Sequence, residues 1–142
     1  MGTVGSMKAD AGFELVRPGQ LASEVPYAYA AVVNGAARLI FTAGACPLDA
    51  AGNVVAPGDV AGQAEQVMQN LEASLRAAGA ELGDVVKTAV YVATQDRADL
   101  VTAWEVVRRH FGDHDPPGTL VGVTVLGWPG QLVEVEAVAA RS

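Results

Sequence analysis

The sequence is poor in cysteine, in charged residues and in aromatic residues. Its 142 residues contain a single cysteine, Cys46, which excludes both a disulfide framework and a zinc site built from several thiolates. Charged residues make up 18% and aromatic residues 6% of the chain, whereas hydrophobic residues make up 51%. That balance excludes a disordered chain and indicates one folded domain of ordinary size.

Basic residues are also scarce, since 9 Lys and Arg stand against 16 Asp and Glu, for a net charge of −7. A protein that binds a phosphate backbone usually carries clustered Lys and Arg, and Arg108-Arg109 is the single basic pair here. We therefore expect no nucleic-acid partner. No apolar run approaches the roughly 18 residues of a membrane span, and residues 1–12 contain no hydrophobic stretch, so we expect a cytoplasmic protein without membrane contact.

Hydrophobic periodicity predicts an α+β domain with the element order β-β-α-β-α-β-β. The Asn-Gly pair at 34–35 separates two apolar runs, which predicts that 29–33 and 38–42 pair as an antiparallel hairpin. Asp59 and Gly79 are the expected start and stop of the first helix. A second helix is expected between Asp96 and Gly112, with strands predicted over 85–93, 119–126 and 132–139.

One mixed sheet should carry both helices on one face, which leaves its other face bare. Alternate apolar strand residues are expected on that face, and a second subunit would cover them. These residues are Val90, Val92, Val121, Val123, Val133 and Val135. We expect residues 1–12 to form a flexible N-terminal segment, partly a cloning remnant around 5–7, and residues 13–142 to form a single domain.

Several residues invite a chemical interpretation. Cys46 follows a glycine in a loop, so it is either a nucleophile or a packing thiol. A nucleophile needs a basic partner, and nothing in the sequence brings His110 or His114 to it. The histidines, at 110 and 114, have no ligand-like neighbours at metal spacing, so we expect no metal site. Glu134 and Glu136 share one face of the last strand, which indicates either a solvated face or a carboxylate presented to a pocket.

Taken together, these segments resemble the RidA/YjgF family of reactive enamine and imine deaminases, formerly called the endoribonuclease L-PSP family. The resemblance extends over roughly residues 20–140. It rests on Arg38-Leu39-Ile40-Phe41-Thr42-Ala43-Gly44 with Pro47, on the helix Gln63 to Gly79, on Asp84-Val85-Val86-Lys87-Thr88-Ala89-Val90-Tyr91-Val92, on Phe111 and Pro116, and on Leu132-Val133-Glu134-Val135-Glu136-Ala137-Val138-Ala139.

The resemblance implies a chorismate-mutase-like fold assembled as a homotrimer, in which three sheets form a barrel and small-molecule clefts lie between subunits. It implies hydrolysis of enamine or imine acids to keto acids and ammonia without metal or organic cofactor. Glu134 matches the glutamate that positions water. The substrate-binding positions of the family correspond to Tyr27, Ala43, Gly44, Gly118 and Leu120, and Cys46 and Trp128 are further candidates.

One departure from the family stands out. The arginine that clamps the substrate carboxylate in the family's Pro-Ala-Arg motif is Gly118 in Pro116-Pro117-Gly118. We therefore expect a trimer that hydrolyses an unusual, less anionic imine or enamine, with Glu134 positioning water. The alternative is a non-catalytic trimer that binds or senses a small ligand. The family's older endoribonuclease label fits an acidic chain poorly.

Overall fold

The computed structural model describes residues 12–35 and 37–142 in full and the backbone of residues 3–8. Among these residues there are two helices, α1 Val60–Ala77 and α2 Arg97–Phe111, and a 3₁₀ turn at Leu82–Asp84. The strands, in chain order, are β1 Thr3–Lys8, β2 Phe13–Pro18, β3 Ala30–Val33, β4 Arg38–Phe41, β5 Val85–Ala93, β6 Gly118–Val123 and β7 Val133–Arg141. No helix among these described residues is long and apolar enough to cross a membrane.

Both helices begin and end at the residues that the sequence pattern predicts. The Asp59 side chain accepts a hydrogen bond from Gly62 N (3.0 Å) at the start of α1, and Asp96 accepts one from Ala98 N (2.9 Å) at the start of α2. Gly79 and Gly112 follow the two helices with φ of 88° and 64°, which glycine adopts without strain. The α+β prediction is confirmed in this respect.

A mixed four-stranded sheet in the order β4-β7-β5-β6 carries both helices on one face. The β5–β6 pair is parallel, and the other two pairs are antiparallel. The main core lies between the sheet and the helices, where large side chains from both helices and from β5 and β7 are buried. Its members include Met68, Leu71 and Leu75 of α1, Val107 and Phe111 of α2, and Val90 and Val135 of the sheet.

The expectation for the bare face of this sheet was wrong for four of its six residues, whereas Val121 and Val123 do lie on the face away from the helices. The helices of the same chain already bury four of the valines completely, so no second subunit is needed to cover them. These are Val90, Val92, Val133 and Val135. Strand alternation shows which residues share a face, but it does not show which face the helices cover. The face away from the helices carries other apolar side chains, of which Phe41 is 71% exposed.

The predicted hairpin was also wrong. Among the described residues, β3 pairs with β2 and β4 pairs with β7, so the two apolar runs belong to different sheets. Gly35 has the expected positive φ of 63°, but Asn34 N donates to Gly12 O (2.8 Å) across the β2–β3 pair. The Asn-Gly motif reports only on the residues beside it, so it carries no information about a competing strand earlier in the chain.

That earlier strand belongs to a second, three-stranded sheet in the order β1-β2-β3, which the sequence pattern did not predict. A smaller core of Phe13, Leu15 and Ala28 packs against Val86 and Ala140 at one end of the main sheet. The flexible segment expected over 1–12 lies partly outside the described residues, and its 3–8 stretch has a strand backbone. The single-domain assignment of 13–142 stays a prediction.

Candidate functional site

The loop after β4 runs alongside β7 and is tied to it by the main chain. Ala45 and Val135 exchange two backbone hydrogen bonds (2.7 and 3.2 Å), and Ala137 N donates to Thr42 Oγ1 (3.0 Å). Because Glu134 precedes Val135 on β7, this pairing brings the Glu134 side chain against the backbone of Gly44. The loop therefore continues alongside β7 beyond the end of β4.

Glu134 is the centre of a small polar cluster at this loop. Gln131 Nε2 (3.0 Å) and Cys46 Sγ (3.4 Å) both donate to its Oε1 atom. Its Oε2 atom lies so close to the Gly44 backbone that a side chain at residue 44 would overlap it. One carboxylate oxygen is therefore held by two donors, while the other lies against Gly44, where the absence of a side chain leaves room.

The Cys46 thiol is a poor nucleophile in this position. Burial, together with the hydrogen bond to the Glu134 carboxylate and its charge, raises the pKa of the Cys46 thiol, and contacts from Gln131 and Trp128 oppose this only in part. The thiol therefore stays protonated at neutral pH and acts as a donor. This environment agrees with the packing interpretation of Cys46 and disfavours the nucleophile.

Gln131 is a functional candidate that the sequence reasoning missed. Its buried side chain accepts from Trp128 N (3.1 Å) and donates to Val133 O (3.1 Å) as well as to Glu134. Strand alternation would place residues 131 and 134 on opposite faces. They meet because residue 131 still belongs to the turn before β7, so periodicity alone carried no signal for this contact.

The turn that carries Gln131 is fixed from beneath by Gln63 of α1. The fully buried Gln63 side chain donates to Gly130 O (3.1 Å) and Ala56 O (3.3 Å), and it accepts from Leu132 N (2.7 Å). One side chain thus binds three backbone groups, and these bonds satisfy its own buried amide. Helix α1 therefore fixes the position of the turn through Gln63, and the turn then places Gln131 beside the Glu134 carboxylate.

The second carboxylate of β7 has a different partner. Tyr91 O–H donates to Glu136 Oε1 (2.6 Å), and this bond, together with burial and the charges of both glutamates, raises the pKa of Tyr91 above its ordinary value. Glu136 shares the sheet face of Glu134, as the alternation predicts. It contacts none of the loop residues named above in the hydrogen bonds of the described chain, so it is a natural control for Glu134.

Another group of predicted site residues lines a separate cavity of about 330 Å³. Tyr27, Gly118 and Leu120 are joined there by Pro26 and by Trp104 of α2. Trp104 is only half-buried and forms one wall of the cavity. None of the five lining residues carries a charge.

Comparison with known proteins assigns the family. Residues 19–141 match the model of the family described as Endoribonuclease L-PSP. The chain belongs to the RidA/YjgF (endoribonuclease L-PSP) family. It is 33% identical over 116 residues to the human 2-iminobutanoate/2-iminopropanoate deaminase, covering 82% of this chain and 80% of that protein. The Escherichia coli deaminase of the same name is 36% identical over 108 residues, 73% of this chain and 80% of the relative.

A solved structure supports the same assignment. The Rid-family protein YyfB of Yersinia pestis, described as of unknown function, matches with a TM-score of 0.83 at 30% identity. The match covers 90% of this chain and 98% of that one. In the present chain itself, the described residues contain no group of three or more His, Cys, Asp and Glu side chains placed to hold a metal ion.

The two groups of candidate residues do not meet within one RidA-like chain. Gly118 and Leu120 pair with Thr88 and Val90 and share their helix-covered face, whereas Glu134 pairs with Tyr91 on the opposite face. Strand β5 lies between β6 and β7, so the two groups are separated by the sheet and by roughly 10 Å across it.

The remaining candidates, Ala43 and Trp128, lie at the edge of the Glu134 cluster. Ala43 is exposed in the loop just before Gly44. The Trp128 ring is 48% exposed, while its backbone N–H is held by Gln131. Both are therefore available to a ligand that approaches Glu134 from the open face of the sheet.

Proposed function

We propose that this protein is a homotrimeric hydrolase of imines or enamines, in which Glu134 positions and deprotonates the attacking water. The observation that carries the proposal is the Glu134 carboxylate, fixed by Gln131 and Cys46 on one oxygen and set against the open backbone of Gly44. The relatives named as imine deaminases support it at the level of the family.

The chemistry balances without a cofactor. An enamine first tautomerises to its imine, and water then adds to the imine carbon while Glu134 accepts a proton from that water. Glu134 returns that proton to the nitrogen, which gives a carbinolamine. The hydroxyl proton of the carbinolamine then moves to the nitrogen, and ammonia leaves as the C–N bond breaks and the carbonyl forms. The sum is one imine and one water giving one carbonyl compound and one ammonia. A carboxylate held in one position suits this step, since the base is already oriented when water arrives.

The separation of the two residue groups supports the trimer. Tyr27, Gly118 and Leu120 lie on the opposite side of the sheet from Glu134, so a cleft that uses both groups requires a second copy. The exposed apolar side chains of Leu39, Phe41 and the β6 residue Val121 on the face away from the helices are the surface that a second copy would cover.

A second function is favoured by Gly118. Without a cation at this position, the cavity has no charged side chain to hold a carboxylate, and a trimer that only binds a neutral ligand is the alternative. Cleavage of RNA is disfavoured, because a net charge of −7 repels a phosphate backbone.

The test measures ammonia release from the imine that a flavin-dependent amine oxidase makes from ethylamine, above the spontaneous rate. For an enzyme, Glu134→Gln keeps the shape but removes the base, so kcat should fall by roughly 10²–10⁴. Glu136→Gln is the matched control and should change kcat little. Equal effects of the two variants would contradict the role of Glu134. A protein without turnover that still binds ligand would support the alternative.

A further inference from the structure

The cavity beside α2 is distinctive because its walls are apolar and aromatic. Its lining residues are Pro26, Tyr27, Trp104, Gly118 and Leu120, and its volume is about 330 Å³. A dry apolar cavity of about 150 Å³ is already large enough for benzene. A flat ring therefore fits this space, whereas a carboxylate would lose its hydration there without gaining a cationic partner.

Gly118 is what keeps this cavity open. A β carbon at residue 118 would lie 3.3 Å from Thr88 Cγ2 and 3.4 Å from Trp104 Cη2. Any longer side chain at this position would extend from there along the Trp104 ring and occupy the cavity. The loss of a side chain at residue 118 therefore has two consequences, since it removes a charge and it exposes an aromatic wall.

The opposite wall is held in place by hydrogen bonds away from the cavity. Arg17 Nη1 donates to Tyr27 O (2.7 Å), and Arg17 also pairs with Asp115 (3.2 Å), whose backbone oxygen accepts from Ala28 N (2.8 Å). The Tyr27 ring packs edge-on against Tyr29, with centroids 5.6 Å apart. A wall fixed in this way loses little conformational entropy when a ligand binds.

From these observations we infer that the substrate is an imine or enamine bearing an aromatic ring and no carboxylate on the reacting carbon, with the ring seated between Trp104 and Tyr27. This inference rests on the proposed function and names its substrate class. Edge-on and offset ring contacts favour an aryl group over an alkyl group of similar size. The ring is held by one copy, and the imine carbon reaches Glu134 of the partner subunit.

The first experiment measures binding by calorimetry with three probes. Phenylacetamide has a ring and a neutral planar group, acetamide lacks the ring, and phenylacetate adds a charge. We expect phenylacetamide to bind at least tenfold more tightly than either of the others. Equal affinity for phenylacetamide and acetamide would overturn the inference, and so would tighter binding of phenylacetate.

Variants locate the binding. Gly118→Leu fills the cavity and should weaken phenylacetamide binding at least tenfold without changing acetamide binding. Trp104→Leu removes the aromatic wall instead of filling the cavity, and it should also weaken phenylacetamide binding. This second variant keeps the test valid if Gly118→Leu misfolds. Val101→Ala changes an exposed apolar residue of the same helix and is the matched control. Unchanged phenylacetamide affinity in both cavity variants would overturn the inference.

Turnover separates this inference from the proposed function. A flavin-dependent amine oxidase converts 2-phenylethylamine and ethylamine to their imines, and each imine with water gives an aldehyde and ammonia. We expect faster ammonia release from the aryl imine, measured as kcat/KM. Turnover of both imines without preference would overturn the aryl subsite and leave the hydrolase standing. Tight, Gly118-dependent binding of phenylacetamide without turnover of either imine would overturn the proposed hydrolase and leave the aryl subsite standing.

Discussion

Glu134 Oε2 occupies the space in which a β carbon on residue 44 would have to lie. The φ of Gly44 is not in the left-handed region, so backbone freedom is not the reason for glycine here. The reason is room for the carboxylate. The loop and β7 are joined on both sides of this contact, at Thr42–Ala137 and at Ala45–Val135, so neither partner can move away from the other easily.

Gly44→Ala should therefore displace the Glu134 carboxylate instead of displacing the loop. A misplacement of about 1 Å at a reacting group costs on the order of 10² in rate, so we expect kcat for imine hydrolysis to fall by about that factor. Thermal unfolding should change little. Gly127→Ala is the control, since open space surrounds Gly127 and its φ is not positive. Full activity of Gly44→Ala would show that the carboxylate position is not critical.

Cys46→Ser should retain ammonia release and ligand binding. The raised pKa of Cys46 keeps the thiol protonated, and a serine hydroxyl supplies the same kind of donor to Glu134. Alkylation by iodoacetamide, followed by mass spectrometry, should be slow at pH 7 and should accelerate with rising pH. Complete loss of activity in a Cys46→Ser trimer would make Cys46 a catalytic residue.

Light scattering should give a mass of about three times 14.5 kDa. Phe41→Glu places a charge on the exposed apolar face and should lower the assembly state, because a buried unpaired charge is costly. Val125→Glu changes an apolar residue that is more exposed still, but in the loop before β7, and should leave the mass unchanged. A stable wild-type monomer at micromolar concentration would contradict the proposed assembly.

Turnover of 2-iminopropanoate should be weak. The clamp arginine of the family is Gly118 here, and a charge-assisted hydrogen bond contributes about 1.5–3 kcal/mol, or roughly 10–150-fold in kcat/KM. The measurement compares ammonia release from 2-iminopropanoate, made by an amino acid oxidase from alanine, with release from the uncharged imine of ethylamine. Efficient use of 2-iminopropanoate would mean that another cation, such as Arg38 or Arg97, replaces the clamp.

A pH-dependent contact joins the two helices. His110 Nε2 (2.7 Å) and Arg109 Nη2 bind the two oxygens of Glu65, and both lower the pKa of Glu65 below its ordinary 4.5. The folded state thus favours the ionised form of Glu65. Its contribution to the free energy of unfolding is complete above the ordinary pKa of 4.5 and is lost as the pH falls through the lowered pKa of the folded state.

Glu65→Gln should therefore reduce the free energy of unfolding at pH 7 by less than about 1 kcal/mol, because the side chain is 40% exposed. In urea titrations, the difference from wild type should shrink as the pH falls below about 4.5. Glu105→Gln, at an exposed position of α2, is the control. A difference that persists at pH 3 would mean that packing and not charge is responsible.

The sequence pattern predicted what depends on nearby residues and missed what depends on distant ones. The helix caps at Asp59 and Asp96 lie within three residues of the N–H groups that they satisfy, so the pattern contained them. The hairpin failed because β2 competes for β3 from earlier in the chain. The prediction for the valines of β5 and β7 failed because periodicity shows which residues share a face of the sheet but not which face the helices cover.

The same distinction holds at the candidate site. The resemblance to the family led to Glu134, Gly44 and Tyr27, and the structure places the first two in contact and Tyr27 elsewhere. Gln131 and Trp104 were not predicted as site residues. Gln131 turns toward Glu134 only because Gln63, 68 residues earlier in the chain, fixes the turn between them. Contacts of that sequence separation leave no periodic signal.

The triple hydrogen bond of Gln63 also determines where this chain tolerates changes of length. An added residue between Gly130 and Leu132 would pull at least one backbone group off the Gln63 amide and leave a polar atom of that buried side chain without its partner. An added residue at 125–127 meets no such restraint, since Val125 is 77% exposed and Gly127 has open space around it. Peptide tags or reporter segments inserted near Val125 would thus leave the geometry of Gln131 and Glu134 intact.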